Sequence, residues 1–174
     1  AAALARTLLG GASGGTLRCL HLGGSGAGDT CAAAVAEMFA TNGPRLALTA
    51  LCLSGAVGDA GAAHLAGTLH HATSLRELWL GNHLSDAGVE AIVQALCAPA
   101  ADGRGRSALT RLCLGGVTRS GVSVTNDLSG RAAEVLAELP RSSAALTELR
   151  LSGNGGLGGA GCIRLLGALQ ASQP

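Results

Sequence analysis

The sequence has very few aromatic residues and no lysine. Its 174 residues include one Trp, one Phe and no Tyr, while 48% of them are apolar. The core must therefore be aliphatic, built mainly from Leu, Ala and Val. All 12 basic residues are arginine, and the chain has 11 acidic residues, so its net charge is +1. This balance disfavours nucleic acid and anionic membranes as partners, because both attract basic surfaces.

Long apolar runs and close cysteine pairs are also missing. No apolar run reaches the roughly eighteen residues that a membrane span needs, so we predict no span. The six cysteines stand at positions 19, 31, 52, 97, 113 and 162 without any C-x-x-C pair. We interpret them as free thiols, which predicts a reducing intracellular compartment and leaves cytoplasm, cilium and organelle open.

One glycine-rich loop comes close to a phosphate-binding motif. Residues 23–30 match G-x-x-x-x-G-K-[ST] except at Asp29, which stands where the motif has lysine. A carboxylate would repel the phosphate that the lysine neutralises. We therefore predict no nucleotide site here, and we expect Asp29 to cap the helix that follows.

The same loop belongs to a pattern that occurs five times. The motif L-x-x-L-x-L begins at Leu17, Leu48, Leu75, Leu109 and Leu146. After each motif, three residues spaced four apart predict one buried helix face. These triplets are Cys31, Val35 and Phe39; Gly61, Leu65 and Leu69; Gly88, Ile92 and Leu96; Arg131, Val135 and Leu139; and Gly161, Leu165 and Leu169. Two places before each triplet stand the expected helix N-caps: Asp29, Asp59, Asp86, Ser129 and Gly159.

These units resemble the leucine-rich repeats of the ribonuclease-inhibitor type, and residues 75–96 match that family's pattern most fully. The resemblance implies an α/β solenoid of about five repeats, with a curved parallel sheet on the concave face and helices on the convex face. We expect residues 1–174 to form a single leucine-rich repeat domain. Neither end carries the polar cap that repeat arrays need, so we expect the chain either to be a fragment of a longer array or to press its ends against other subunits.

The chain departs from the family pattern in two respects. The place of the family's asparagine holds Ser25, Ala56, His83 and Val117, and only Asn154 fits, which predicts a weakened asparagine ladder. Insertions at residues 97–108 and 115–130 lengthen two connections. Insertions in repeat proteins fall on loops that often bind partners, so three arginines become candidate contacts: Arg104, Arg106 and Arg119.

The strand motif also predicts a surface. Its second and third Leu point into the core, and the residues between and before them point outward. The expected partner-binding panel lies on two columns: Cys19, Ala50, Glu77, Arg111 and Glu148, beside His21, Cys52, Trp79, Cys113 and Arg150. All of these except Ala50 are candidate contacts. Trp and Arg are enriched at interface hot spots. We therefore expect Trp79 to be exposed at the centre of a protein-binding face.

Other chemistry is less well supported by the pattern. Cys19, His21 and Cys52 supply only three metal ligands with no spacing motif, so we predict no metal site. The remaining histidines are expected in solvent: His64, His70, His71 and His83. No nucleophile stands beside them in a recognisable arrangement, so we predict no catalytic residue, cofactor or small-molecule substrate.

The leading hypothesis is a non-enzymatic interaction module that binds a protein partner within a larger assembly. Two alternatives stay open. The first is a GTPase-activating protein, because some proteins with this repeat type activate small GTPases, with the three loop arginines as contacts. The second is a purely structural accessory subunit of an organellar, ciliary or photosynthetic complex.

Overall fold

The computed structural model describes residues 15–22, 28–98, 107–117, 123–143 and 145–171. The strands are β1 (Cys19–His21), β2 (Ala50–Gly58), β3 (Glu77–His83), β4 (Arg111–Cys113), β5 (Gly116–Val117), β6 (Ser123–Val124) and β7 (Glu148–Arg150). The helices are α1 (Asp29–Asn42), α2 (Asp59–Ala66), α3 (Asp86–Cys97), α4 (Gly130–Leu136), α5 (Leu139–Ser142) and α6 (Gly158–Ala171). Short 3-10 turns follow at Gly43–Arg45, Leu69–His71 and Gly155–Leu157.

The main sheet has five strands in the order β1-β2-β3-β4-β7, and every neighbouring pair is parallel. A helix separates each strand of this sheet from the next, as parallel pairing requires. Strands β5 and β6 lie between β4 and α4 and form a separate antiparallel pair. The predicted α/β class with a parallel sheet is therefore confirmed.

The core lies between this sheet and the helices. The second and third Leu of the motif are buried in the first four strands and half-buried in β7. The first three helix triplets are buried as predicted. In the fourth triplet only Leu139 is buried as predicted, because α4 buries Ala132, Ala133 and Leu136 and leaves Arg131 exposed and Val135 half-buried. In the fifth triplet Leu169 is 48% exposed.

The helix N-caps differ from the prediction in an informative way. Ser129 is the N-cap of α4, as expected, and its Oγ accepts a hydrogen bond from the N–H of Arg131. The predicted cap at Gly159 lies one residue inside α6 instead. The predicted caps Asp29, Asp59 and Asp86 are likewise the first residues of their helices and do not cap them.

Each of these aspartates instead supports the start of the next helix. Asp29 Oδ1 accepts from the N–H of Gly58 at 2.8 Å. Asp59 Oδ1 accepts from the N–H groups of Ser85 at 2.9 Å and Gly88 at 3.0 Å. Asp86 Oδ1 accepts from the N–H of Ser129 at 2.8 Å, and Asp86 Oδ2 accepts from the Ser129 hydroxyl. The aspartates therefore couple neighbouring strand–helix units. Glycine at position 88 leaves room for this contact, because a Cβ there would lie 2.4 Å from Asp59 Oδ1.

Three asparagines connect the loops that leave the strands. Asn126 Oδ1 accepts from the N–H groups of Asn82 and Leu84, at 2.9 and 3.0 Å. Asn154 Oδ1 accepts from the N–H of Asn126 at 2.8 Å, and both side chains donate to the carbonyl of Leu114. Asn154 was predicted, but the fourth unit uses Asn126, not Val117. In the third unit Asn82, not His83, makes the contacts: its Nδ2 donates to the carbonyl of Ser54 and its Oδ1 accepts from the N–H of Thr125.

Candidate protein-binding surface

The two predicted columns exist in the sheet. Parallel register aligns Cys19, Ala50, Glu77, Arg111 and Glu148 across the five strands. The second column runs His21, Cys52, Trp79, Cys113 and Arg150 in the same register. Both columns lie on the face of the sheet opposite the helices, which we call the outer face.

The centre of the outer face is not exposed, so this part of the prediction is wrong. Trp79 is only 3% exposed, and Cys52 and Cys113 are buried beside it. These three side chains form a second apolar cluster with Val124, separate from the main core. Glu77 is buried as well. These four residues are therefore not accessible to a partner, as the predicted binding role requires.

The physical reason is the segment that follows β4. Strand β6 ends in Val124, whose side chain packs on the cluster. The N–H of Asn82 donates to the carbonyl of Thr125 at 3.0 Å, which fixes this segment against the end of β3. Gly81 permits the close approach, because a Cβ there would lie 2.3 Å from Val124 Cγ1.

Beside the cluster, five side chains close a polar ring, which we call the outer-face ring. Trp79 Nε1–H donates to Glu77 Oε1, and Arg111 donates to Glu77 Oε2 at 2.8 Å. Arg111 also pairs with Glu148, which pairs in turn with Arg150. The Arg150 guanidinium returns to Trp79 and lies 5.4 Å from the ring centroid, within cation–π range.

The ring is electrically balanced, with two carboxylates and two guanidinium groups. Hydrogen bonds from Arg150 and Arg111 hold the pKa of Glu148 below its usual value. The hydrogen bond to Glu148 likewise raises the pKa of Arg111. Desolvation by burial raises the pKa of Cys113 to about 12, so that thiol stays protonated at neutral pH.

The other predicted contact residues fall into two groups. Cys19 and His21 are exposed on β1, at the far edge of the outer face from Arg150. Arg104, Arg106 and Arg119 lie outside the described residues.

Further chemistry is limited in the part of the chain that the structure describes. No three His, Cys, Asp or Glu side chains come together there as a metal site. None of the six cysteines forms a disulfide there. Within those same residues, no helix combines the length and the hydropathy that crossing a bilayer requires.

Sequence reasoning missed Val124 and Asn126, which cover and anchor the centre. The family asparagine was sought at a fixed distance from the strand, which placed it at Val117. Asn126 and Leu128 form the N-x-L pair that Asn82 and Leu84 also form, and all but Asn82 are buried. Matching that pair, rather than counting residues, would have placed residues 115–125 outside the repeat.

No protein-family model and no curated protein matches the sequence. Among solved structures, the fold is similar to leiomodin-1 actin-binding site 2, with a TM-score of 0.63 and 16% sequence identity. The match covers 91% of this chain and 82% of that chain. At this identity the likeness concerns the fold alone.

Proposed function

We propose that the chain is a leucine-rich repeat protein of the ribonuclease-inhibitor type that acts as a non-enzymatic protein-binding module. Three structural facts support the repeat assignment: the sequential parallel strands, the asparagine chain and the aspartate links between successive helices. A net charge of +1 and a balanced outer-face ring favour a protein partner over nucleic acid. Six cysteines without a disulfide support a reducing intracellular compartment.

The observation that carries this proposal is the position of Arg150 in the ring. Its side chain is 45% exposed while its guanidinium lies over the buried indole of Trp79. The ring therefore holds a charged, hydrogen-bonding group in one orientation at the surface, which reduces the entropy lost when a partner binds. Arg111 and Glu148, each about one-third exposed, extend the same patch. The proposed binding surface is thus the charged side of the outer face.

The fold neighbour supplies a first partner to test. Its name assigns actin binding to that protein. For this chain, filamentous actin is a reasonable probe, and cosedimentation measures its binding directly. Crosslinking mass spectrometry in native extract identifies other partners and shows whether the crosslinks fall near Arg150. The purified partner is then used for affinity measurements.

The decisive variant is Arg150→Ala. We expect it to weaken partner binding about tenfold or more, since arginine anchors are among the side chains that dominate interfaces. The matched control is Arg131→Ala, which removes an exposed arginine that pairs with Glu90 at 3.1 Å on the helical side. Equal binding by both variants would place the interface elsewhere. Circular dichroism of both variants checks that the fold is retained.

A further inference from the structure

The last strand and the last helix leave an apolar surface open. On α6, Ile163 is 71% exposed, Leu166 is 60% exposed and Leu169 is 48% exposed. Their spacing of three residues places them along one side of the helix. Between β7 and α6 lies a cavity of about 420 Å³, and its walls include Leu146, Leu149, Leu151 and Leu165. Contiguous apolar surface of this kind marks an interaction site. We call this surface the β7–α6 edge.

The backbone of β7 can pair with another strand. The N–H of Glu148 donates to Thr110, and the carbonyl of Arg150 accepts from Leu114, so both groups face β4. Backbone direction alternates along a strand, so the N–H and carbonyl of Leu149 point away from β4. Strand β7 is last in the strand order. In the sheet that the structure describes, Leu149 therefore presents one donor and one acceptor at the β7 edge, which is a template for strand addition.

The charges on β7 are complementary to a second copy of themselves. Glu148 and Arg150 flank Leu149 and share the outer face. Consider a two-fold axis perpendicular to the sheet between Leu149 and Leu149 of the partner subunit. The two strands are then antiparallel, the two leucines exchange both hydrogen bonds, and Glu148 faces Arg150 of the partner subunit. A guanidinium carries five N–H donors, so Arg150 can keep its bond to Glu148 and add another.

The same axis brings the helices together. It keeps both copies of α6 on the same side of the joined sheet and makes them antiparallel. The exposed face of Ile163, Leu166 and Leu169 then meets its own copy, and the open side of the cavity is covered. Apolar contact, strand pairing and charge pairing are thus satisfied by one symmetry operation.

We propose that the β7–α6 edge is a homodimer interface, in which two copies of this chain join their sheets through antiparallel β7 strands. The occupant is a second copy, because one two-fold axis pairs each Glu148 with an arginine and each apolar helix face with another. The joined sheet has ten strands and two outer-face rings side by side.

The charge pairing can be tested by mixing variants. Sedimentation velocity on the purified chain at micromolar concentrations should show a dimer. Glu148→Arg and Arg150→Glu should each be monomeric alone, because each places like charges opposite one another. An equimolar mixture of the two variants should restore a heterodimer, since each mutated residue then faces its complement. A chain that is monomeric at all concentrations, or a mixture that stays monomeric, overturns the proposal.

A second variant tests the helix contact without disturbing the outer-face ring. Ile163→Glu places a charge in the proposed apolar interface and should raise the dimer dissociation constant about tenfold or more. Ala63→Glu, on the exposed side of α2, is the matched control and should leave it unchanged. Hydrogen exchange should show the Leu149 amide protected at high protein concentration and in rapid exchange on dilution. A dimer that persists in Ile163→Glu, or an unprotected Leu149 amide within a dimer, contradicts this interface.

Discussion

The centre of the outer face and the β7–α6 edge both carry large apolar side chains, yet only the edge is exposed. At the centre, Trp79 is 3% exposed beneath Val124. At the edge, Ile163 is 71% exposed. At the centre, Val124 of β6 packs over Trp79, whereas at the edge no described residue covers Ile163 to that extent. The burial of the outer-face centre is therefore decided by Val124 and not by the strand pattern alone.

The segment that carries Val124 is held by buried amide chemistry. Asn126 accepts two backbone N–H groups and donates to the carbonyls of Leu80 and Leu114. The N–H of Leu84, one of its donors, is buried. Buried backbone groups that lose their partners destabilise a fold strongly. Asn126 thus attaches the segment that covers the centre to Leu80 of β3 and to Leu114 beside β4.

We expect the largest effect from Asn126→Ala, because this change loosens the segment that covers the centre of the outer face. The change removes the acceptor of the buried Leu84 N–H and the side-chain donor to the Leu80 carbonyl, and it should lower the free energy of unfolding by about 2–4 kcal/mol. Urea unfolding followed by circular dichroism measures the change. Asn42→Ala, whose side chain bonds the neighbouring Thr41 at the surface, is the control and should stay within about 0.5 kcal/mol. A similar small effect at Asn126 would show that the segment is held by other contacts.

A smaller effect is expected from Val124→Ala, which thins the cover without removing its anchor. Losing two buried methyl groups should lower the free energy of unfolding by about 1–2 kcal/mol. Trp79 is the single tryptophan, so its emission should shift to longer wavelength. In the unmutated chain, burial raises the pKa of the Cys52 and Cys113 thiols. Thinning the cover should lower both pKa values, so we expect both thiols to be alkylated faster.

The matched control for this change lies at the open edge. Ile163→Ala, measured at concentrations that keep the chain monomeric, should alter stability by less than about 0.5 kcal/mol because the side chain is already in water. If Val124→Ala behaves like Ile163→Ala, the cover contributes nothing and Trp79 is buried by other residues.

The sequence predicted the parts of this fold that depend on local periodicity. The L-x-x-L-x-L motif placed every strand of the main sheet and the register of both columns, because alternation alone decides which residues share a face. Three of the five helix triplets were buried as expected. Long-range contacts could not be predicted in this way. Trp79 is covered by Val124, 45 positions later, and nothing near Trp79 in the sequence encodes that contact.

The aspartates illustrate the same limit. Their position at helix starts suggested capping, which is a local interaction. Asp59 instead bonds Ser85 and Gly88 in the next unit, so its role appears only when neighbouring units are aligned. The D-x-G spacing at residues 59–61 and 86–88 is the sequence signal of this contact, because the glycine leaves room for the carboxylate of the preceding unit.

The smallest expected effect concerns the ring that joins the covered centre to the open edge. The bonds from Arg150 and Arg111 lower the pKa of Glu148 from its usual 4.5, so the carboxylate contributes stability above that value. This contribution should be lost as the pH falls from about 4.5 through the lowered pKa. Glu148→Gln should flatten the pH dependence of unfolding in that window, whereas Glu134→Gln, which alters the exposed pair with Arg164, should leave it unchanged. An unaltered slope in Glu148→Gln would mean that the ring is held by Trp79, Glu77 and Arg111 alone.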